Sequence, residues 1–141
     1  MSFYLDTNIT VALLRPEPLS VTVDRWLRRS DNAIAISNFG AAEFSAVISR
    51  DVRMGTIDVA WANAVLADFD AWRASGVRMI EIGTQDIGFA DAIVRNFETK
   101  LTVPDALHLA VAASAGLTLV TLDRRLIDAA RMRGQPVAVP G

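Results

Sequence analysis

The stretch Phe3-Tyr4-Leu5-Asp6-Thr7-Asn8 is an apolar run that ends on a carboxylate and then turns polar. A short run of this kind reads as a buried strand over residues 2–6, with a helix from Asn8 to about Leu14 stopped by Pro16 and Pro18. Thr118-Leu119-Val120-Thr121-Leu122-Asp123 repeats the pattern late in the chain, a buried strand over 118–122 again closed by an acid. Between them lie Ala33-Ile34-Ala35-Ile36 and Val77-Arg78-Met79-Ile80-Glu81-Ile82, two further strands, and Gln135 to Val139 reads as a last short one. Helices fill the intervals: about Leu19 to Arg29, from a Ser37 or Asn38 cap to about Met54, Asp58 to Ser75, Thr84 to about Glu98, Pro104 to Ala115 with Gly116 as its stop, and Arg124 to Arg133. Apolar strands separated by helices imply an α/β fold with a parallel sheet covered on both faces. In such sheets ligands bind beyond the carboxyl ends of the strands, where Asp6 and Asp123 stand.

Composition bounds the possibilities. The chain has 141 residues, is 52% hydrophobic and 21% charged, and so reads as a single packed domain over residues 1–141. It contains no cysteine, which removes disulfides and thiolate chemistry. The start lacks a basic segment followed by an apolar one, and no apolar stretch is long enough to span a bilayer, so a cytoplasmic protein with no membrane association is the expectation. The net charge of −2 argues against a general nucleic-acid coat. Of 14 basic residues only Lys100 is lysine. Arginine suits bidentate phosphate contacts, although codon usage explains the bias more simply.

Two more acids stand in apolar surroundings. Glu43 shares a helix face with Phe39, Ala46 and Val47, and Asp105 lies in the first turn of a helix that is apolar on all sides. Each acid has an ordinary explanation. Asp6 and Asp123 can cap the helices that follow, Asp105 complements a helix dipole, and Glu43 can reach water or pair with Arg50. Together, four carboxylates in apolar contexts point to a hard divalent cation and to chemistry on phosphate. Thr7, Asn8 and Thr121 are polar neighbours that could orient them, and Arg124 and Arg125 could hold flanking phosphates. His108 reads as a core histidine rather than a base. Asp24, Asp31, Asp51, Asp58, Asp68, Asp70 and Asp128 read as polar-face or helix-end acids, while Asp86 and Asp91 could approach the cluster. A phosphoacceptor receiver domain would want a lysine at the end of a late strand. An aspartyl phosphatase would want an acid where Asn8 stands.

The four segments in order, Asp6-Thr7-Asn8, Ala42-Glu43, Asp105-Ala106-Leu107-His108-Leu109-Ala110 and Thr121-Leu122-Asp123-Arg124-Arg125-Leu126, resemble the PIN domain over nearly the whole chain. In length and motif order they resemble the VapC-type toxins of toxin–antitoxin pairs. The resemblance implies a three-layer α/β/α fold with a short, mostly parallel sheet. It also implies a Mg²⁺- or Mn²⁺-dependent endoribonuclease with Asp6, Glu43, Asp105 and Asp123 as catalytic residues. Asp6, Asp105 and Asp123 would be the metal ligands, with Asn8 and Thr121 in support. The expected partners are RNA, a cognate antitoxin and a second copy of the chain, the last encouraged by Trp61 and Trp72 on one long helix. The alternative is a non-catalytic PIN-fold module that holds RNA or a protein. Leu126 stands where family members often carry Phe, and Asp128 is too far along its helix to serve clearly as a fifth acid.

Overall fold

The computed structural model describes residues 1–29 and 32–141, so the expectation for Asp31 lies outside the described residues. Five strands, β1 (Ser2–Leu5), β2 (Ala33–Ser37), β3 (Arg78–Ile80), β4 (Thr118–Val120) and β5 (Val137–Ala138), form one sheet in the order β3-β2-β1-β4-β5. Every pairing is parallel. The helices are α1 (Thr7–Leu14), α2 (Ser20–Arg28), α3 (Asn38–Arg53), α4 (Val59–Ala74), α5 (Thr84–Arg95), α6 (Val103–Ala115) and α7 (Arg124–Met132). A single 3₁₀ turn, Phe97–Thr99, ends the segment expected as helix to Glu98.

Alternate strand residues enter two separate cores. Phe3, Leu5, Ile36 and Val120 pack with α1 to α4, while Tyr4, Ala35 and Leu119 pack with α5 to α7. This is the period of two expected of a strand buried on both faces, and it gives three layers. In the first core Phe44 and Phe69 stack with ring centroids 4.1 Å apart and fasten α3 to α4. Trp26 packs on Phe3 and Trp72 on Phe69, so two of the three tryptophans complete the core, whereas Trp61 is 53% exposed.

Helix ends follow local chemistry. Ser37 accepts the Gly40 amide and caps α3, and Asp58 accepts the Trp61 amide and caps α4. The start of α5 differs from expectation: Gly83, not Thr84, is its N-cap, and Asp86 reaches back to accept the Gly83 amide. Gly116 ends α6 with φ +67°, a left-handed turn that costs glycine little. Asp51 departs from its polar-face reading. It is buried, accepting a 2.7 Å bond from Arg15, because α3 turns this side towards the loop after α1.

Phe44→Ala removes one ring of the stacked pair from a fully buried position. It is expected to lower unfolding free energy by about 3–5 kcal/mol in urea titrations. A loss below about 1 kcal/mol would show that α3 and α4 are not held through this contact.

Candidate functional site

The carboxyl ends of β1, β2 and β4 meet at one edge of the sheet, and polar side chains gather there. Register sets the first contact. Leu5 pairs with Val120, so the next residues stand side by side, and the Thr121 hydroxyl donates to Asp6 Oδ2 at 2.7 Å. Thr121 Oγ1 also accepts the Asp123 amide, tying the last acid's backbone to the same hydroxyl. Asp6 occupies the N-cap position of α1 without a side-chain cap bond, so its carboxylate faces the site instead. It is 4% exposed.

Glu43 reaches the site from α3. Thr7 Oγ1 donates to Glu43 Oε1 at 2.8 Å, and His108 Nε2 lies 2.5 Å from the same oxygen. The pair with Arg50, one of the ordinary readings of Glu43, does not form among the described residues. His108, on the sheet-facing side of α6, is 1% exposed. Its Nδ1 is 2.7 Å from Tyr4 Oη, and Tyr4 donates its own hydroxyl proton to Ser37 Oγ at 2.8 Å. With that proton committed, Tyr4 accepts from Nδ1. Glu43 can only accept, so Nε2 also carries a proton. Both ring nitrogens are then donors, which is the charged form of the imidazole, and the ring lies 3.6 Å from Asp6 Oδ1, whose charge favours that form.

Electrostatics agree with this reading. Burial works to lower the His108 pKa, but the Glu43 hydrogen bond and the charges of Asp6, Glu43 and Asp105 outweigh it and hold it above 6.5. Burial works to raise Glu43, but the bond and charge of His108 and the Thr7 hydroxyl bring it below 4.5. Asp6 is raised above 3.8 by burial, which the His108 charge and the Thr121 bond only partly offset. Asp105 is raised by burial and by the negative charges of Asp123 and Asp6. Like-charge repulsion thus raises Asp105, second to desolvation.

Asp105 stands at the start of α6, half-buried, with a 3.2 Å bond from the Thr102 hydroxyl. Asp123 caps α7, its Oδ1 accepting the amides of Arg125 and Leu126. Asp6, Asn8, Glu43 and Asp105 line one open groove of about 580 Å³; Asp123 lies outside its lining. Among the described residues, no three acids or histidines stand close enough together to hold a metal ion in the positions shown. The donor set nonetheless suits a hard cation, since Mg²⁺ needs only one or two carboxylates and keeps several waters. Asn8 Oδ1 strengthens the fit: it is buried with no hydrogen-bond partner, beside Asp6 in the groove.

Other expected contributors lie apart. Arg124 pairs with Asp128 at 3.3 Å, and neither Arg124 nor Arg125 lines the groove. Asp86 caps α5, and Asp91 pairs with Arg95. Of the cations that do line the groove, Arg15 and Arg53 were not singled out from the sequence, and Arg50, two helical turns after Glu43, was read only as a partner for that acid. Tyr4 was also missed, its run reading as uniformly apolar.

Comparison with known proteins places this geometry. The family described as PIN domain matches residues 3–132. Among solved structures, VapBC2 from Rickettsia felis bound to a promoter DNA fragment matches with a TM-score of 0.73 at 22% identity, covering 100% of both chains. VapC20 from Mycobacterium tuberculosis, a sarcin–ricin loop cleaving toxin, matches with a TM-score of 0.72 at 21% identity, covering 90% of this chain and 94% of its own. FitAcB from Neisseria gonorrhoeae matches with a TM-score of 0.74 at 21% identity, covering 99% and 96%. None of the curated proteins compared matches the chain.

The pair of His108 and Glu43 gives stability a pH signature. A raised imidazole pKa contributes stability that is fully present below pH 6.5 and is lost as pH rises through the folded value. A lowered carboxylate pKa contributes stability present above pH 4.5 and lost as pH falls through its folded value. In EDTA the protein is therefore expected to gain stability from pH 8 to pH 6, by up to about 1.4 kcal/mol per pH unit. Thermal melts of His108→Gln should lose that rise; an unchanged slope would show that the imidazole is not a buried cation.

Proposed function

The chain belongs to the PIN-domain family, and from that premise we propose that it is a Mg²⁺- or Mn²⁺-dependent endoribonuclease acting as the toxin of a toxin–antitoxin pair. The observation that supports this most is the charge balance at the sheet edge. Three carboxylates, Asp6, Glu43 and Asp105, act on one histidine, His108, which is spent on Glu43, and Asp123 adds its negative charge beside Asp105. The excess negative charge, with Asn8 Oδ1 unpartnered beside it, suits a divalent cation.

Asp6 and Asp105 would hold the ion, with Asp123 as a third ligand once its cap bonds loosen, and Asn8 would accept from its waters. Such an ion, when bound, neutralises phosphate charge and makes water a better nucleophile. Glu43, kept ionised by His108 and Thr7, has its second oxygen left to accept a proton-side hydrogen bond from the attacking water and so aim it. Thr121 fixes the angle of the Asp6 carboxylate. No covalent intermediate with the protein is required.

The toxin assignment draws on likeness to solved structures that include a toxin–antitoxin complex from Klebsiella pneumoniae and the DNA-bound VapBC2 of Rickettsia felis and VapBC of Salmonella typhimurium. A cytoplasmic nuclease needs restraint, and an antitoxin segment carrying Arg or Lys would complement the acids. A homodimer belongs to the same reading. No helix of the described residues is long and apolar enough to cross a membrane.

Asp6→Asn is expected to cut the rate of RNA cleavage in Mg²⁺ by about 10²–10³-fold. It should melt no lower than wild type in EDTA, since it removes a buried charge already disfavoured there. EDTA should stop the wild-type reaction. RNA that is bound but never cut, with any divalent metal, would favour the non-catalytic module instead. Expression of the chain alone should slow growth; normal growth would sink the toxin reading and leave the nuclease reading standing.

A further inference from the structure

Tyr4 is the chain's only tyrosine, and it is completely buried in the core between the sheet and α5 to α7. Phenylalanine would fill that space as well. A hydroxyl taken into an apolar core is costly unless it is bonded, so its partners say what it is for. It has two among the described residues, and both lead to the site: Ser37 Oγ at 2.8 Å and His108 Nδ1 at 2.7 Å. Ser37 is itself fixed, because the same oxygen accepts the Gly40 amide as the N-cap of α3. The hydroxyl is therefore a firm point at the sheet edge, and one ring nitrogen rests on it.

The other ring nitrogen has two acids near it. Nε2 lies 2.5 Å from Glu43 Oε1, 3.2 Å from Thr7 Oγ1 and 3.6 Å from Asp6 Oδ1. Two carboxylates thus compete for a single N–H. The torsion that turns a histidine ring on its stem is broad, so rotamer preference does not decide between them. The bond at Nδ1 does. With both nitrogens held, the ring is fixed at its two ends and Nε2 is aimed at α3.

We propose that Tyr4 is a positioning residue of the site: its hydroxyl, anchored on Ser37, pins the His108 ring so that Nε2 bonds Glu43 rather than Asp6. Its bearing on cleavage rests on the nuclease reading above. The pin acts on both acids. Glu43 keeps Oε1 occupied by His108 and Thr7, and its other oxygen stays without a partner among the described residues, beside the groove. Asp6 keeps Oδ1 just beyond hydrogen-bond reach of the imidazole. Without the hydroxyl, the buried Nδ1–H has no acceptor, and a ring that turns to find one carries Nε2 away from Glu43.

Tyr4→Phe tests this, since it removes the hydroxyl and keeps the ring. Histidine occurs once, so the full-length protein labelled with ¹⁵N-histidine shows a single imidazole. In EDTA the wild type is expected to show a solvent-protected Nδ1 proton that Tyr4→Phe loses. The carboxyl carbon signal of Glu43, assigned by its absence in Glu43→Gln, should shift in the same variant. At saturating Mg²⁺, Tyr4→Phe is expected to lower kcat for RNA cleavage about 10-fold to 10²-fold at unchanged KM. Joined to Glu43→Gln, it should add less than about twofold to the loss from Glu43→Gln alone, because both act through one carboxylate. Ser37→Gly removes the anchor and leaves a serviceable N-cap, and it should move the same readouts the same way even if Tyr4→Phe does not fold. Unchanged imidazole and Glu43 signals in a folded variant would overturn the proposal. So would a kcat loss that multiplies in full with that of Glu43→Gln, or an effect confined to the melting temperature. If the signals move but the wild type cuts no RNA with any divalent metal, the pin stands and the nuclease reading falls. If the wild type cuts and both variants keep its kcat, the proposal falls and the nuclease reading stands.

Discussion

A single buried histidine ties the site together. His108 touches Glu43 from α3, Thr7 from α1 and Tyr4 from β1, and through Tyr4 it reaches Ser37 at the end of β2. A ring with 1% exposure is tolerable there because both its nitrogens have partners, and the acids around it favour its charged form. The same bonds fix the rotamers of the groups around it. Removing the ring would leave Glu43 half-buried with only the Thr7 hydroxyl, and would free α3 from the sheet edge at the point where its acid enters the site.

This arrangement divides the four acids into two kinds. Glu43 has a built-in counter-ion and stays ionised. Asp6 and Asp105 have too little positive charge nearby, and burial makes their ionised forms costly. A parallel sheet makes the concentration possible, because all its strands point their carboxyl ends, and the residues that follow them, to one edge. The fold thus concentrates negative charge where burial makes it costly.

Much of this was legible in the sequence, for physical reasons. Short apolar runs followed by polar helix starts define β1 and β4 because both faces of those strands are buried, and the strand order then puts Asp6 beside Thr121. The cap readings for Asp123 and for Ser37 were visible because they are local. What was hidden is long-range. His108 sits in an apolar helix and looks like core until Tyr4, Ser37 and Glu43, all distant in sequence, are brought against it. Asp51 reads as a surface acid until Arg15 folds over it. The arginines of the groove are lost among a crowd of arginines, and only the turn geometry of α3 selects Arg50.

The central strand β1 is completed late. Its second neighbour, β4, arrives only at residues 118–120, and the bond between Asp6 and Thr121 closes a span of 115 residues. During synthesis, therefore, the amino-terminal half emerges with its first acid already made but without the hydroxyl that orients it, the helix that supplies Asp105, or the imidazolium that holds Glu43. Contacts this distant in sequence slow folding and come together near its end. A chain cut short at any point before β4 carries fragments of the site and no assembled one.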